Sequence, residues 1–302
     1  MSSFMLDRRQ LLAGLSASAA LLSAERAAAL SEFTVGRAKV MALSDGALAV
    51  PPAMFSNTTE ADKVLLGGGI ELAANTYAYQ NGGRTFLFDA GSGKDHYISQ
   101  QFPTVGKLAG DLAAAGIDPT TVTDIVVTHM HIDHIGGLVP EGRPVFANAT
   151  IHVSETDWNI WNNPDFAAAA PDQLKPMVNA VQQVGGIVGE NIKTHSGEAD
   201  LGAGVAMVPT PGHTPGHCGI LLTSGSEQLL LIGDAIVTEK VHFANPDAGW
   251  ALEADQALAA KTRRAILDQA ATDKIMIAGS HISRPGTGFV ERDGDAYRFV
   301  PA

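Results

Sequence analysis

The stretch Thr128-His129-Met130-His131-Ile132-Asp133-His134 decides how the rest of the chain is read, because it sets three histidines and an aspartate side by side. An apolar run over residues 124–128 leads into it and reads as a buried strand. Side chains alternate along a strand, so His129 and His131 fall on one side. A close turn at the strand's end, eased by Gly136-Gly137, brings Asp133 and His134 round to face them. Four imidazole and carboxylate donors from one segment exceed what a single tetrahedral ion with an open position accepts. The pattern therefore predicts two metal ions.

Working outward, three more donors stand at the ends of later apolar runs. His213 lies in Pro211-Gly212-His213-Thr214-Pro215-Gly216, after a strand expected over 205–209. Asp234 follows the run 229–232, and His281 follows the run 275–278 as Gly279-Ser280-His281. A donor at the end of a buried strand is held rigidly. His96, His152, His195, His217 and His242 gain no partner from the sequence and read as structural or surface residues. The single cysteine, Cys218, excludes an intrachain disulfide and a thiolate cluster, so any metal is held by His and carboxylate.

Composition bounds the remaining choices. With 45% hydrophobic and 17% charged residues, the 302-residue chain is neither disordered nor fibrous. Twenty Lys and Arg against 32 Asp and Glu give a formal charge of −12, which argues against a nucleic-acid surface. Residues 1–29 read as an export signal: Arg8-Arg9 precedes an apolar stretch, and Ala27-Ala28-Ala29 offers a cleavage site. The paired arginines resemble a twin-arginine signal and imply a periplasmic protein. The apolar stretch of about 14 residues is short of the roughly 20 that span a bilayer, so no permanent membrane anchor is expected.

Residues 30–302 show no repeat or linker and read as one domain. Strands are expected over 38–43, 77–80, 85–89, 124–128, 150–153, 205–209, 219–223, 228–232 and 274–278. Helices are expected over 105–115, 155–161, 173–184 and 254–270. Strand hairpins mixed with helices in both halves point to an α/β (α+β) arrangement of two sheets with helices outside.

The seven donors, taken together, resemble the metallo-β-lactamase superfamily with its His-x-His-x-Asp-His motif, later His, bridging Asp and final His. The resemblance implies a four-layer αββα sandwich. It also implies that His129, His131 and His213 hold one divalent ion and Asp133, His134 and His281 the other, with Asp234 between them. Zinc is the default ion, with manganese, iron and cobalt suited to the same donors. Further stretches, Ala42-Leu43-Ser44-Asp45-Gly46, Gly212 to His217, Ser280 to Gly286 and Tyr297-Arg298-Phe299-Val300-Pro301, resemble the methyl parathion hydrolase branch.

That likeness implies a dinuclear hydrolase of small-molecule esters, lactones or organophosphates, in which a metal-bridging hydroxide attacks, and it points to a homodimer. Asp133 and Asp234 are the expected catalytic carboxylates, with Asp133 also a candidate proton shuttle. Phe102, Trp158 and Trp161 are the expected substrate contacts. Two departures bear on the substrate. Lys175-Pro176-Met177 stands where phosphotriesterases of the branch place an aromatic, and Asp234-Ala235-Ile236-Val237 lacks the tyrosine that acyl-homoserine lactonases often place there. An activated aryl ester or aromatic lactone fits these absences, with organophosphate hydrolysis and acyl-homoserine lactone hydrolysis as the alternatives.

Overall fold

The computed structural model describes residues 31–94 and 96–302, so the expected export signal lies outside the described residues. Two seven-stranded sheets make up its centre. The first runs in the order β1 (Ser31–Val35), β2 (Ala38–Val50), β4 (Ile70–Asn81), β5 (Arg84–Phe88), β6 (Asp124–Val126), β7 (Thr150–Ser154), β8 (Ile192–His195). The second runs β16 (Ala296–Pro301), β15 (Thr287–Asp293), β14 (Met276–Gly279), β12 (Glu227–Gly233), β11 (Cys218–Ser224), β10 (Val205–Pro209), β9 (Ala199–Gly202). A two-stranded patch, β3 (Phe55–Ser56) with β13 (Gly249–Trp250), flanks them.

Strand alternation explains the layering. In β5, Phe86 and Phe88 point to one face and Leu87 to the other, and all three are buried. The inner face joins Val40 and Ala42 with Val205, Met207, Ile220 and Leu229 of the second sheet, forming the core between the sheets. On the outer face, Leu87, Ile125 and Ile151 pack under helices α3 (Leu108–Ala114) and α7 (Lys175–Val188). The second sheet buries Leu230, Ile232 and Ile277 beneath helix α8 (Gln256–Asp273), through its Ile266, Leu267 and Ala270. Strands covered on both faces read as continuous apolar runs, which is why β6 and β12 are plain in the sequence. The result is the expected αββα sandwich. Among the described residues, no helix is long and apolar enough to cross a membrane.

Strand direction places the site. β5, β6 and β7 are parallel. In the second sheet β10 and β12 both run antiparallel to β11, and β12 runs parallel to β14, so β10, β12 and β14 point the same way. The expected donors follow the carboxyl ends of β6, β10, β12 and β14.

Candidate metal centre

The expected strand over 124–128 ends at Val126, so His129 and His131 sit in the loop beyond it. The turn that follows is a short helix, α4 (Ile132–Ile135), which carries Asp133 and His134. All seven expected donors converge. His129, His131 and His213 form one group with donor atoms within 4.8 Å of one another, Asp133, His134 and His281 a second, and His129, His134 and Asp234 a third that overlaps both.

Asp234 lies in the middle. Its carboxylate is 3.4 Å from His213 Nε2, 3.4 Å from His134 Nε2, 3.2 Å from His281 Nε2 and 3.8 Å from His129 Nε2. Asp133 lies 3.5 Å from His281 Nε2 and 3.7 Å from His134 Nε2, and is the more exposed carboxylate of the two. The rings of His129, His131 and His213 stand 4.6 to 4.7 Å apart.

Surrounding hydrogen bonds fix which nitrogen faces the centre. His134 Nδ1 donates to Asp89 Oδ2 (2.8 Å), His281 Nδ1 to the Ala73 carbonyl (2.7 Å) and His129 Nδ1 to Thr128 Oγ1 (3.0 Å). Thr128 in turn donates to both oxygens of Asp89. With Nδ1 occupied, each ring turns Nε2 inward, the usual support of a metal-binding histidine. Asp89 was not singled out in the sequence. It follows β5 in left-handed backbone, φ 60°, and the apolar run that it ends was its one signal.

Two more residues matter that the sequence did not mark for this purpose. His217 accepts from the Asp234 backbone N–H at Nε2 (3.0 Å) and is tied at Nδ1 to Thr210. Burial pushes it down to about 4, so it is neutral and keeps that lone pair. It is structural, as read, but its role is to hold the Asp234 backbone. Buried Asp157 accepts from Met130 N, Thr214 Oγ1 and Gly216 N, joining the loop of His129 and His131 to the turn of His213.

The charge of the site favours a cation. Burial pulls His281 down, yet the carboxylates of Asp234 and Asp133 outweigh it and push the ring up to about 10. His134 is raised in the same way by Asp234, Asp89 and Asp133, again against burial. His129 and His213 are driven well below the ordinary range, first by burial. The centre therefore contains both neutral imidazoles and carboxylates that draw positive charge. His129 Nε2, His134 Nε2 and Asp234 Oδ1, which face the centre, are buried with no hydrogen-bond partner. Orphaned donor atoms of this kind are costly unless something binds them. An N/O donor set of this composition fits divalent zinc, and fits it twice.

Two cavities open on the centre. The larger, about 330 Å³, reaches His131, Asp133, Asp234 and His281 and is walled by Leu48, Val50, Met54, Leu72, Phe102 and Trp250. The smaller, about 190 Å³, reaches His131 and His213 between Trp161, Phe166 and Pro215. Among the described residues, no lysine or arginine lines either one. Phe102 thus lies in the larger cavity and Trp161 in the smaller, where its ring meets His131 edge to face at 5.2 Å. Trp158 lines neither cavity and packs, half-buried, against the core beneath the first sheet. Met177, at the position noted for its missing aromatic, lines both cavities.

Fold and donor set together define a dinuclear-type metallohydrolase sandwich. The model of the metallo-β-lactamase superfamily matches residues 69–281, and the chain belongs to that superfamily. It is similar to an N-acyl homoserine lactonase of a Bacillus species, 28% identical over 196 residues, covering 64% of this chain and 67% of the relative. It is also similar to the N-acyl homoserine lactonase AttM of Rhizobium radiobacter, 33% identical over 132 residues, 42% of this chain and 46% of the relative.

Among solved structures it superimposes on AidC, a dizinc quorum-quenching lactonase in complex with a product, with a TM-score of 0.82 and 27% identity over 90% of this chain and 97% of that one. It matches AbOPH, described as a hydrolase in the β-lactamase superfamily, with a TM-score of 0.81 and 26% identity over 91% and 97%. The chain is a metal-dependent hydrolase.

Proposed function

We propose that the chain hydrolyses the ester bond of neutral lactones carrying an apolar acyl arm, with N-acyl homoserine lactones as the substrate class. The observation that carries this reading is the larger cavity: it is walled by aliphatic and aromatic side chains, has no lysine or arginine among its described lining residues, and ends on Asp133, Asp234 and His281. The similarity to several N-acyl homoserine lactonases supports the same choice over the aryl ester suggested by the sequence.

His129, His131 and His213 would hold one ion, Asp133, His134 and His281 the other, and Asp234 both. Two divalent ions so held supply a nucleophilic water at neutral pH and polarise the acyl oxygen. The chain's own residues do the rest. His217 and Asp89 keep Asp234 and His134 in place, and the apolar walls exclude bulk water and align the acyl arm. Asp133 reaches into the larger cavity, where its carboxylate is placed to accept a proton and return it to the leaving alkoxide. This role predicts that Asp133→Asn loses more rate on alkyl lactones than on nitrophenyl esters. Equal losses would remove the shuttle.

The reading is tested by measuring, on the metal-loaded chain, the hydrolysis of an N-acyl homoserine lactone, dihydrocoumarin and methyl paraoxon, with Asp234→Asn as the blank. Fastest turnover of the homoserine lactone supports it. An aromatic second reading rests on Trp161 and Phe166, whose rings meet edge to face at 5.5 Å in the smaller cavity. Fastest turnover of dihydrocoumarin would establish that reading instead, and fastest turnover of the phosphotriester would favour the methyl parathion hydrolase resemblance. We also propose twin-arginine export to the periplasm and a homodimer. Cell fractionation after Arg8→Lys with Arg9→Lys tests the first, and sedimentation equilibrium the second.

A further inference from the structure

The chain has four tyrosines, and three have their hydroxyls engaged. Tyr77 donates to the Gly279 carbonyl (3.0 Å), Tyr79 to the Ala203 carbonyl (3.2 Å) and Tyr297 to Asp268 (2.6 Å). Tyr97 alone has no hydrogen-bond partner among the described residues. It is also the only one of the four that lines the larger cavity, together with Asp133, Asp234 and His281. Burial pushes its ionisation up, so the phenol is a hydrogen-bond donor. Its hydroxyl is open to solvent, and a substrate oxygen in the cavity can take the place of water as its acceptor.

The surroundings hold Tyr97 in position. It opens helix α2 (Tyr97–Gln101), directly after His96. The His96 ring donates to the Gly136 carbonyl (2.9 Å), which follows the helix carrying Asp133 and His134, and Ser99 Oγ donates to the His96 carbonyl. On either side of α2, the buried Asp45 carboxylate accepts from Ser92 N, Gly106 N and Leu108 N. Asp45 occupies a bulge of β2 beside Gly46, where added side-chain bulk would strike the Thr104 carbonyl. His96, read from the sequence as without a partner, thus links the start of α2 to the segment of Asp133.

We propose that Tyr97 is a catalytic hydrogen-bond donor to the acyl oxygen of the substrate in the larger cavity. The acceptor is the neutral acyl oxygen, which gains negative charge during attack. A donor placed there strengthens as charge develops, which is how such groups accelerate acyl transfer. The inference rests on the ester or lactone reading above.

Tyr97→Phe removes one oxygen and retains the ring. In the metal-loaded full chain it is expected to lower kcat/KM on an N-acyl homoserine lactone about 10- to 100-fold. It is also expected to weaken binding of the corresponding lactam, which keeps the carbonyl but resists ring opening, about 3- to 10-fold. Metal content and thermal midpoint stay at the wild-type values. Wild-type kcat/KM in Tyr97→Phe overturns the proposal. A rate loss that comes with loss of metal also overturns it, because the phenol would then be supporting the ligand set. If the wild type opens no lactone but cleaves an aryl ester, the lactone reading fails, and Tyr97 is judged by the same loss on that ester.

Discussion

Arg263 offers a perturbation whose size can be worked from its contacts. It projects from α8 with its side chain fully buried. Nε donates to the Ala235 carbonyl, Nη1 to the Pro246 and Ala248 carbonyls, each at 2.8 Å, and Nη2 to the equally buried Glu253. Ala235 adjoins Asp234, and Glu253 borders the smaller cavity, so one guanidinium ties the helix to the segment that shapes the site. Arg263→Met leaves three carbonyls and a carboxylate without their donor. Removing one partner of a buried pair costs about 3–5 kcal/mol, and each orphaned carbonyl about 1 kcal/mol or more. Glu253 relieves part of this by taking up a proton, because burial already raises its pKa against the pull of Arg263.

A net loss of about 4–5 kcal/mol follows, which at about 2 °C per kcal/mol for a chain of this size lowers the thermal midpoint by about 8–10 °C. Calorimetry of Arg263→Met, Glu253→Leu and the double variant measures it. The double variant should recover at least about 1.5 kcal/mol relative to the sum of the singles, since it leaves no lone buried charge. A single-variant loss below about 1 kcal/mol, or strict additivity, would refute the reasoning.

Other perturbations separate the roles assigned above. Asp89→Ala should weaken metal binding about 10- to 100-fold, because His134 loses the acceptor that orients it; competition with a chelator reads this directly. His217→Phe should reduce metal affinity without removing a donor, by freeing the Asp234 backbone, and unchanged affinity would remove that role. Away from the site, Asp124 bonds Arg84 and His152, and its pKa is lowered by those partners even though burial opposes them. A carboxyl lowered on folding stabilises above its unfolded value and loses that contribution as pH falls through its folded value. Asp124→Asn should therefore cost about 1 kcal/mol at neutral pH, Arg84 being partly exposed. The gap to the wild type should close below about pH 4. A gap that persists in acid would show a purely steric effect.

How far the sequence reached depended on the kind of signal each element leaves. β6 and β12 are covered on both faces, so their apolar runs mark them plainly, and β10 shows the alternation of a strand covered on one face; the donors that follow strand ends were legible for the same reason. β15 carries Glu291, Arg292 and Asp293, and β1 and β8 are edge strands with mixed exposure, so no apolar run announced them. β2 runs thirteen residues, beyond the expected 38–43, because the bulge at Asp45 and Gly46 breaks its alternation midway. Asp89, Asp157 and His217 act through hydrogen bonds between segments distant in the chain, which a linear reading does not connect. Trp158 shows the converse: an aromatic three residues from a cavity residue packs into the core, and only its surroundings decide between the two roles.

In the proposed chemistry, one chain uses two metal ions at these seven side chains to open an ester bond. Stripping the purified chain of metal and titrating zinc back while following hydrolysis of an N-acyl homoserine lactone tests it most directly. No activity is expected at the start, with a plateau at two ions per chain. Full activity at one ion, or activity that survives stripping, would contradict it.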